Sequence, residues 1–339
     1  MRAWVLYGPG DLRFEDRPVP TPGPGEALVK VRAAGICGSD IPRIFTTGAH
    51  VHPLIPGHEF AGEVAECPEE PSLVGRAVGI FPLLPCKTCP QCRLRRYEMC
   101  QRYGYLGSRN DGGFADYVRV PIWNLLPLPE GLSLEEAACL EPLSVAIHAI
   151  RRADITPEDS VTVIGLGTIG LFALMALSAL GVRDLAAVGN KPFQREMAAS
   201  LGIGGARYTE SGVPRPADAV LECVGRAETA SLALEAAGPG GRVVLVGNPH
   251  SDMTFPRDQY WQILRKQLAV LGTWNSSYFG YPPPSQKDDW HRALDLLSGG
   301  KLDLRRAVTH RFPLAELDRG LAILRDRTEN AVKIMAVMD

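Results

Sequence analysis

This 339-residue chain has no excess of charge of either sign: 36 lysines and arginines face 38 aspartates and glutamates, a net charge of −2. Such a balance gives no electrostatic reason to expect nucleic acid or an anionic membrane as a partner, and any phosphate recognition must come from a few placed residues. The opening MRAWVLYGPGDLRFED lacks the apolar core and cleavage site of a secretory signal peptide. A cytoplasmic location is therefore expected. Residues 160–182 carry no charge, but Gly165, Gly167, Gly170 and Gly181 interrupt them, and no membrane span is expected. The eight cysteines are not distributed in pairs, as a secreted disulfide framework would require. Four of them crowd into one short segment, which favours metal. No internal repeat is present.

What the chain does contain is two textures. Its length exceeds one ordinary core and fits two domains. Residues 1–150 read as short β segments with frequent turns, such as ALVKVRAAGI and FAGEVAEC, with a cysteine-bearing lobe at about residues 82–105. Residues 151–285 alternate buried strands (SVTVIG, DLAAVGN, ADAVLECVG, GRVVLVGN) with helical runs. That alternation predicts an α/β, doubly wound parallel sheet. Residues 286–339 are less regular and end in a strand, AVKIMAVMD, so the parallel unit is expected to be inserted between an N-terminal domain and a C-terminal return to it.

VIGLGTIG is G-x-G-x-x-G at Gly165, Gly167 and Gly170, after a strand and opening a helix. The first glycine permits the tight turn, the second lets a pyrophosphate approach the backbone, and the third packs helix on strand. With Thr168 and Ile169 the turn offers unpaired N–H groups to phosphates. CKTCPQCRLRRYEMC sets Cys86, Cys89, Cys92 and Cys100 as C-x2-C-x2-C-x7-C. Four thiolates in a compact loop suit a closed tetrahedral zinc, with an iron–sulfur cluster, free thiols or disulfides as the alternatives. GICGSD, PGHEF and ACLEPLSVAIHA add Cys37, His58, Glu59 and Glu141, a mixed sulfur, nitrogen and oxygen set for a zinc with an open position. A zinc of that kind can act as a Lewis acid while a C–H releases hydride to a nicotinamide.

These motifs, in this order and spacing, resemble the zinc-dependent medium-chain dehydrogenase/reductase superfamily over essentially the whole chain. CGSDIPRIFTTGAH, GHEFAG, PLLPCKTCPQC, GSRNDGGFADY and ILRKQLAVLGTW resemble its polyol and polyol-phosphate dehydrogenase branch. The resemblance implies a GroES-like, mostly-β catalytic domain with an inserted Rossmann domain, assembled as homodimers or homotetramers. It implies two zinc ions per chain. Cys37 and His58 fall on ligands of the catalytic zinc, and Glu59 and Glu141 on carboxylates that ligate it or exchange with water. Cys86, Cys89, Cys92 and Cys100 fall on the structural zinc. Ser39 falls on the hydroxyl that begins proton removal from the substrate alcohol. The implied reaction oxidises a secondary alcohol of a polyol or polyol phosphate to a ketone. Arg43, His50, Ser108 and Arg109 are brought toward the substrate, where an arginine fork could read a phosphate, and Trp274 is expected to wall the pocket. Unphosphorylated sugars, aminocyclitols and amino alcohols are alternative substrates. A dinucleotide-binding protein without catalysis is the alternative from another class.

Two departures matter. Many relatives place a histidine three residues beyond the relay hydroxyl, where this chain has Pro42. And AAVGNKP has no acid where one would hold the adenosine ribose of NAD. Gly189 stands there instead, 19 residues past the third fingerprint glycine, followed by Asn190 and Lys191, with Arg195 close behind. An acid would repel the 2′-phosphate of NADP; a glycine makes room, an amide can donate and a lysine attracts. NADP is therefore expected over NAD.

Overall fold

The computed structural model describes residues 1–203, 206–212, 215–283 and 285–338. The chain divides into two compact units. The first comprises Met1–Glu141, Ser277–Ser298 and Asp303–Asp339; the second comprises Pro142–Ser276 and Gly299–Leu302.

The first unit is built on a mostly antiparallel sheet in the order Val308–Phe312, Lys333–Val337, Glu26–Ile36, Glu59–Glu66, Ala77–Ile80, Leu125–Pro127, with Tyr117–Pro121 also paired to Glu26–Ile36. Along Glu26–Ile36, Lys30 and Arg32 alternate with buried Val29, Val31 and Ala33, the period expected where one face of a strand meets the core. Beyond Ala33 every residue of the strand is buried, so its end at Ile36 delivers Cys37 from a fixed base. Phe60, Val64, Val78, Ile80 and Ile334 fill the same core. The last strand pairs antiparallel with Glu26–Ile36, setting Met335 opposite Gly35.

The second unit is a six-stranded, all-parallel sheet in the order Arg207–Thr209, Asp184–Val188, Ser160–Ile164, Ala217–Glu222, Ala237–Leu245, Ala269–Gly272. Numbered along the chain this is 3-2-1-4-5-6, the doubly wound Rossmann order. Parallel strands need crossovers, and helices such as Thr168–Ala179 and Ala227–Ala236 supply them. Thr168–Ala179 is buried from Gly170 through Leu177, which explains its run of uncharged residues. Among the described residues no helix is long and apolar enough to cross a membrane. Thus the expected fold, a mostly-β catalytic part with a doubly wound parallel sheet, is what the chain adopts.

Candidate metal centres and dinucleotide turn

Leu83–Leu84 pairs antiparallel with Gly104–Tyr105 and closes the base of the cysteine lobe. Inside it the sulfurs of Cys86, Cys89, Cys92 and Cys100 all lie within 4.8 Å of one another, with Cys86–Cys92 and Cys89–Cys100 at 4.0 Å. Tetrahedral zinc at about 2.3 Å from each sulfur sets sulfurs about 3.8 Å apart, so the four fit that ion. A disulfide requires about 2.05 Å, and all eight cysteines are free. The lobe's own packing is those cysteines with Tyr97 and Tyr103, which leaves little apolar core for anything but a metal to close. The backbone N–H of Cys86 donates to Cys100 Sγ at 3.2 Å and that of Cys89 to Cys86 Sγ at 3.4 Å. Hydrogen bonds from Thr88 and Cys89 bring the Cys86 thiol down to about 5, favouring the thiolate a metal needs.

A second cluster forms where two strands meet. Cys37 follows the end of Glu26–Ile36, and His58 and Glu59 stand at the start of the neighbouring strand; one ligand atom from each lies within 4.8 Å of the others. Asp40, fully buried, ties the group together. Its carboxylate accepts the Cys37 backbone N–H at 2.9 Å, pairs with Arg43 Nη1 at 2.5 Å, and lies 3.4 Å from His58 Nδ1. Facing Asp40 with Nδ1 leaves His58 Nε2 for a metal, the usual way a carboxylate orients a ligating histidine. Burial opposes charge on His58, but Asp40 and then Cys37 outweigh it and lift the ring to about 10. Burial likewise opposes the Cys37 thiolate, and His58 more than offsets this, bringing the thiol down to about 6. A soft sulfur, an imidazole and a carboxylate so arranged fit a zinc ion with a position to spare.

Glu141 stands outside that close set. Tyr105 Oη donates to its Oε1 at 3.2 Å, and burial raises its carboxyl to about 7. Ser39 occupies the N-cap of the short Asp40–Pro42 turn, yet its hydroxyl makes no capping bond. Glu59 Oε2 is in direct contact with Lys333 Nζ, both side chains being buried.

The four expected substrate residues all belong to the first unit. The His50 backbone N–H donates to the Ser108 carbonyl at 3.3 Å. The His50 imidazole, exposed overall, is held below its ordinary value by partial desolvation and then by the charges of Arg109 and Arg43. Arg43 is shared with Asp40, whereas Arg109 rests over the Tyr103 ring at 4.7 Å with Nη2 3.5 Å from the phenol oxygen. Trp274 belongs to the second unit, 47% exposed.

In that second unit the fingerprint glycines do what their positions require. Gly165 has a φ of +94°, and a Cβ there would run into Val224. A Cβ on Gly170 would run into the Gly165 carbonyl, whereas Gly167, the N-cap of Thr168–Ala179, faces open space. Thr168 and Ile169 follow as the first helical residues. This is a cradle into which a pyrophosphate fits. Gly165 N–H donates to the Val188 carbonyl at 2.8 Å, which sets Gly189 beside the turn. A Cβ on Gly189 would lie 2.8 Å from Leu166 Cδ1. Arg195 Nη1 donates to the Gly189 carbonyl at 2.5 Å, and Asn190 and Lys191 are exposed.

Residues 23–130 match the alcohol dehydrogenase GroES-like domain, and residues 168–299 match the zinc-binding dehydrogenase domain. The chain belongs to the zinc-binding alcohol dehydrogenase family. This dehydrogenase is 37% identical over 298 residues to galactitol 1-phosphate 5-dehydrogenase of Escherichia coli strain K12, covering 84% of this chain and 85% of the relative. The crystal structure of galactitol-1-phosphate dehydrogenase from Escherichia coli superposes with a TM-score of 0.90 at 33% identity, over 99% of this chain and 100% of that one. A protein described as a zinc-binding dehydrogenase from Sinorhizobium meliloti 1021, bound to NADP, superposes with a TM-score of 0.87 at 27% identity, over 99% and 98%. The dehydrogenase is thus an oxidoreductase of the polyol dehydrogenase family.

Three site residues escaped the sequence reading. Asp40 had a signal, an acid three residues beyond Cys37, and so did Lys333, a lysine within an otherwise apolar strand. Tyr105 had none.

Proposed function

We propose that this dehydrogenase oxidises a secondary hydroxyl of a polyol phosphate to a ketone, with NADP as hydride acceptor and two zinc ions per chain. The observation that carries the reading is the convergence of Cys37, His58 and Glu59 to within 4.8 Å, backed by buried Asp40. Zinc held there would supply Lewis acidity to the substrate oxygen. Cys37 and His58 are the fixed ligands; Glu59, in the close set, is favoured over Glu141 as the resting carboxylate. Ser39, its hydroxyl free of any capping bond, begins the proton relay: it accepts the proton of the substrate hydroxyl while passing its own on to water, the next position for a relay group being Pro42. Cys86, Cys89, Cys92 and Cys100 hold the second zinc, which crosslinks a lobe with little core of its own.

Arg109, Arg43 and His50 support a phosphate on the substrate. Arg109 and Arg43 both disfavour positive charge on His50, a local excess of cations that an anion would relieve, and the guanidinium fork matches phosphate oxygens. Gly189, Asn190, Lys191 and Arg195 support NADP, and the NADP-bound relative supports it further. Homo-oligomers are supported by the sheet edge of the second unit. Strand Ala269–Gly272 ends the sheet with Val270 exposed, and helix Arg257–Arg265 buries no residue while exposing Tyr260, Trp261 and Leu264. An open edge beside an apolar face suits pairing with a second copy.

The test is kcat/KM for galactitol, sorbitol and their 1-phosphates, each with NAD and NADP. The reading expects the phosphates with NADP to lead. Turnover of the free polyols alone, or preference for NAD, would refute the corresponding half of it.

A further inference from the structure

Lys333 opens the last strand, and its side chain is 1% exposed. Three strands run side by side there: Met335 faces Gly35 on the middle strand, and Gly35 faces Glu59 on the third. Lys333 is two residues from Met335 and so shares its face of the sheet. From there its chain crosses over the middle strand to Glu59. A Cβ on Gly35 would lie 2.6 Å from Lys333 Cε, 2.8 Å from Nζ and 2.6 Å from Glu59 Oε2. The missing side chain at position 35 is the passage through which the two charged groups meet. Lys333 Nζ contacts Glu59 Oε2 and also donates to the carbonyl of Ile36, the residue before Cys37, at 3.1 Å.

A buried ammonium and a buried carboxylate are each costly unless paired. A divalent cation at Cys37 and His58 is a rival countercharge for the same carboxylate. We propose that Lys333 is a positioning residue that holds Glu59 partly in reserve, so that Glu59 is the dissociable ligand of the metal while Cys37 and His58 remain fixed. The inference rests on reading Cys37 and His58 as zinc ligands. With the ammonium removed, the metal becomes the nearest countercharge for Glu59, grips it harder and exchanges more slowly.

The experiment measures zinc release from the full-length, zinc-loaded enzyme to a chelator, followed by a metallochromic dye. A fast phase from the open site should precede a slow phase from the thiolate cage. Lys333→Met should slow the fast phase by about tenfold or more, the scale of changes around ligating residues. Lys333→Arg, which keeps the charge, should release near the wild-type rate. Glu59→Gln added to Lys333→Met should restore fast release, a rescue that a packing role for Lys333 would not produce. Wild-type release from Lys333→Met, or slow release persisting in the double variant, overturns the proposal. If Lys333→Met does not fold, Gly35→Ala carries the test, since its Cβ wedges the pair apart: slowed release supports the proposal and an unchanged rate overturns it. Cys37→Ser separates the two readings. If the fast phase survives in Cys37→Ser, the zinc assignment itself fails; if it vanishes there but is unaltered in Lys333→Met, only the role of Lys333 fails.

Discussion

Asp40 Oδ1 lies 3.4 Å from His58 Nδ1, and the same carboxylate receives the backbone N–H of Cys37 at 2.9 Å. One buried side chain thereby orients two prospective ligands that are 21 residues apart in sequence. Asp40→Asn keeps the shape and removes the charge. It should weaken zinc at the Cys37 site by about 10- to 100-fold while leaving the thiolate-bound zinc in place. Metal content after graded dialysis against a chelator is the measurement, and equal loss from both sites would contradict it.

Two zinc sites of different kinds should part company under chelation. Activity should disappear before the fold does, because an open site exchanges faster than a closed cage. Cys37→Ala should abolish turnover with the melting temperature nearly intact. Cys89→Ala should remove one zinc and lower the melting temperature sharply, since binding energy at a structural site is folding energy. Fully active protein with a single zinc equivalent would rule out the pair.

His50, though exposed, is held below its ordinary value by partial desolvation, then by Arg109 and Arg43. Removing a neighbouring positive charge favours the protonated ring, so Arg109→Ala should move the His50 titration upward, as seen by NMR of the imidazole. Inorganic phosphate bound between these groups should do the same in the wild type. With a polyol phosphate, Arg109→Ala should lower kcat/KM by about 10- to 100-fold, the scale of a hydrogen bond between charged groups. Unchanged kinetics would remove the phosphate clamp.

Cofactor choice should reside in the cations near Gly189. Lys191→Ala and Arg195→Ala should each reduce kcat/KM with NADP by about tenfold, or about 1.4 kcal/mol, with little effect on NAD. Gly189→Asp is a poorer probe, because its Cβ would also press on Leu166. Equal losses with both cofactors would indicate a general defect in the turn.

A monomer should result from charging the exposed edge. Val270→Lys combined with Trp261→Glu should lower the mass seen by sedimentation, since both side chains are exposed on the free protein. An unchanged mass would place the interface elsewhere.

Local spacing determined much of this protein. Thiolates at x2 intervals fall within reach of one ion because a short loop cannot carry them apart, and a glycine turn between a buried strand and a buried helix has few other shapes. The alternation of strands and helices in residues 151–285 likewise determined a parallel sheet, since crossovers demand it. What only the tertiary structure decided lies between residues distant in sequence. That Asp40 faces His58 and that Lys333 crosses an empty position at Gly35 to meet Glu59 depend on strand register, and that Tyr105 reaches Glu141 depends on where the helix Leu140–Arg152 begins. Register is set by pairing across the whole sheet, and no local pattern of residues encodes which charge will find which.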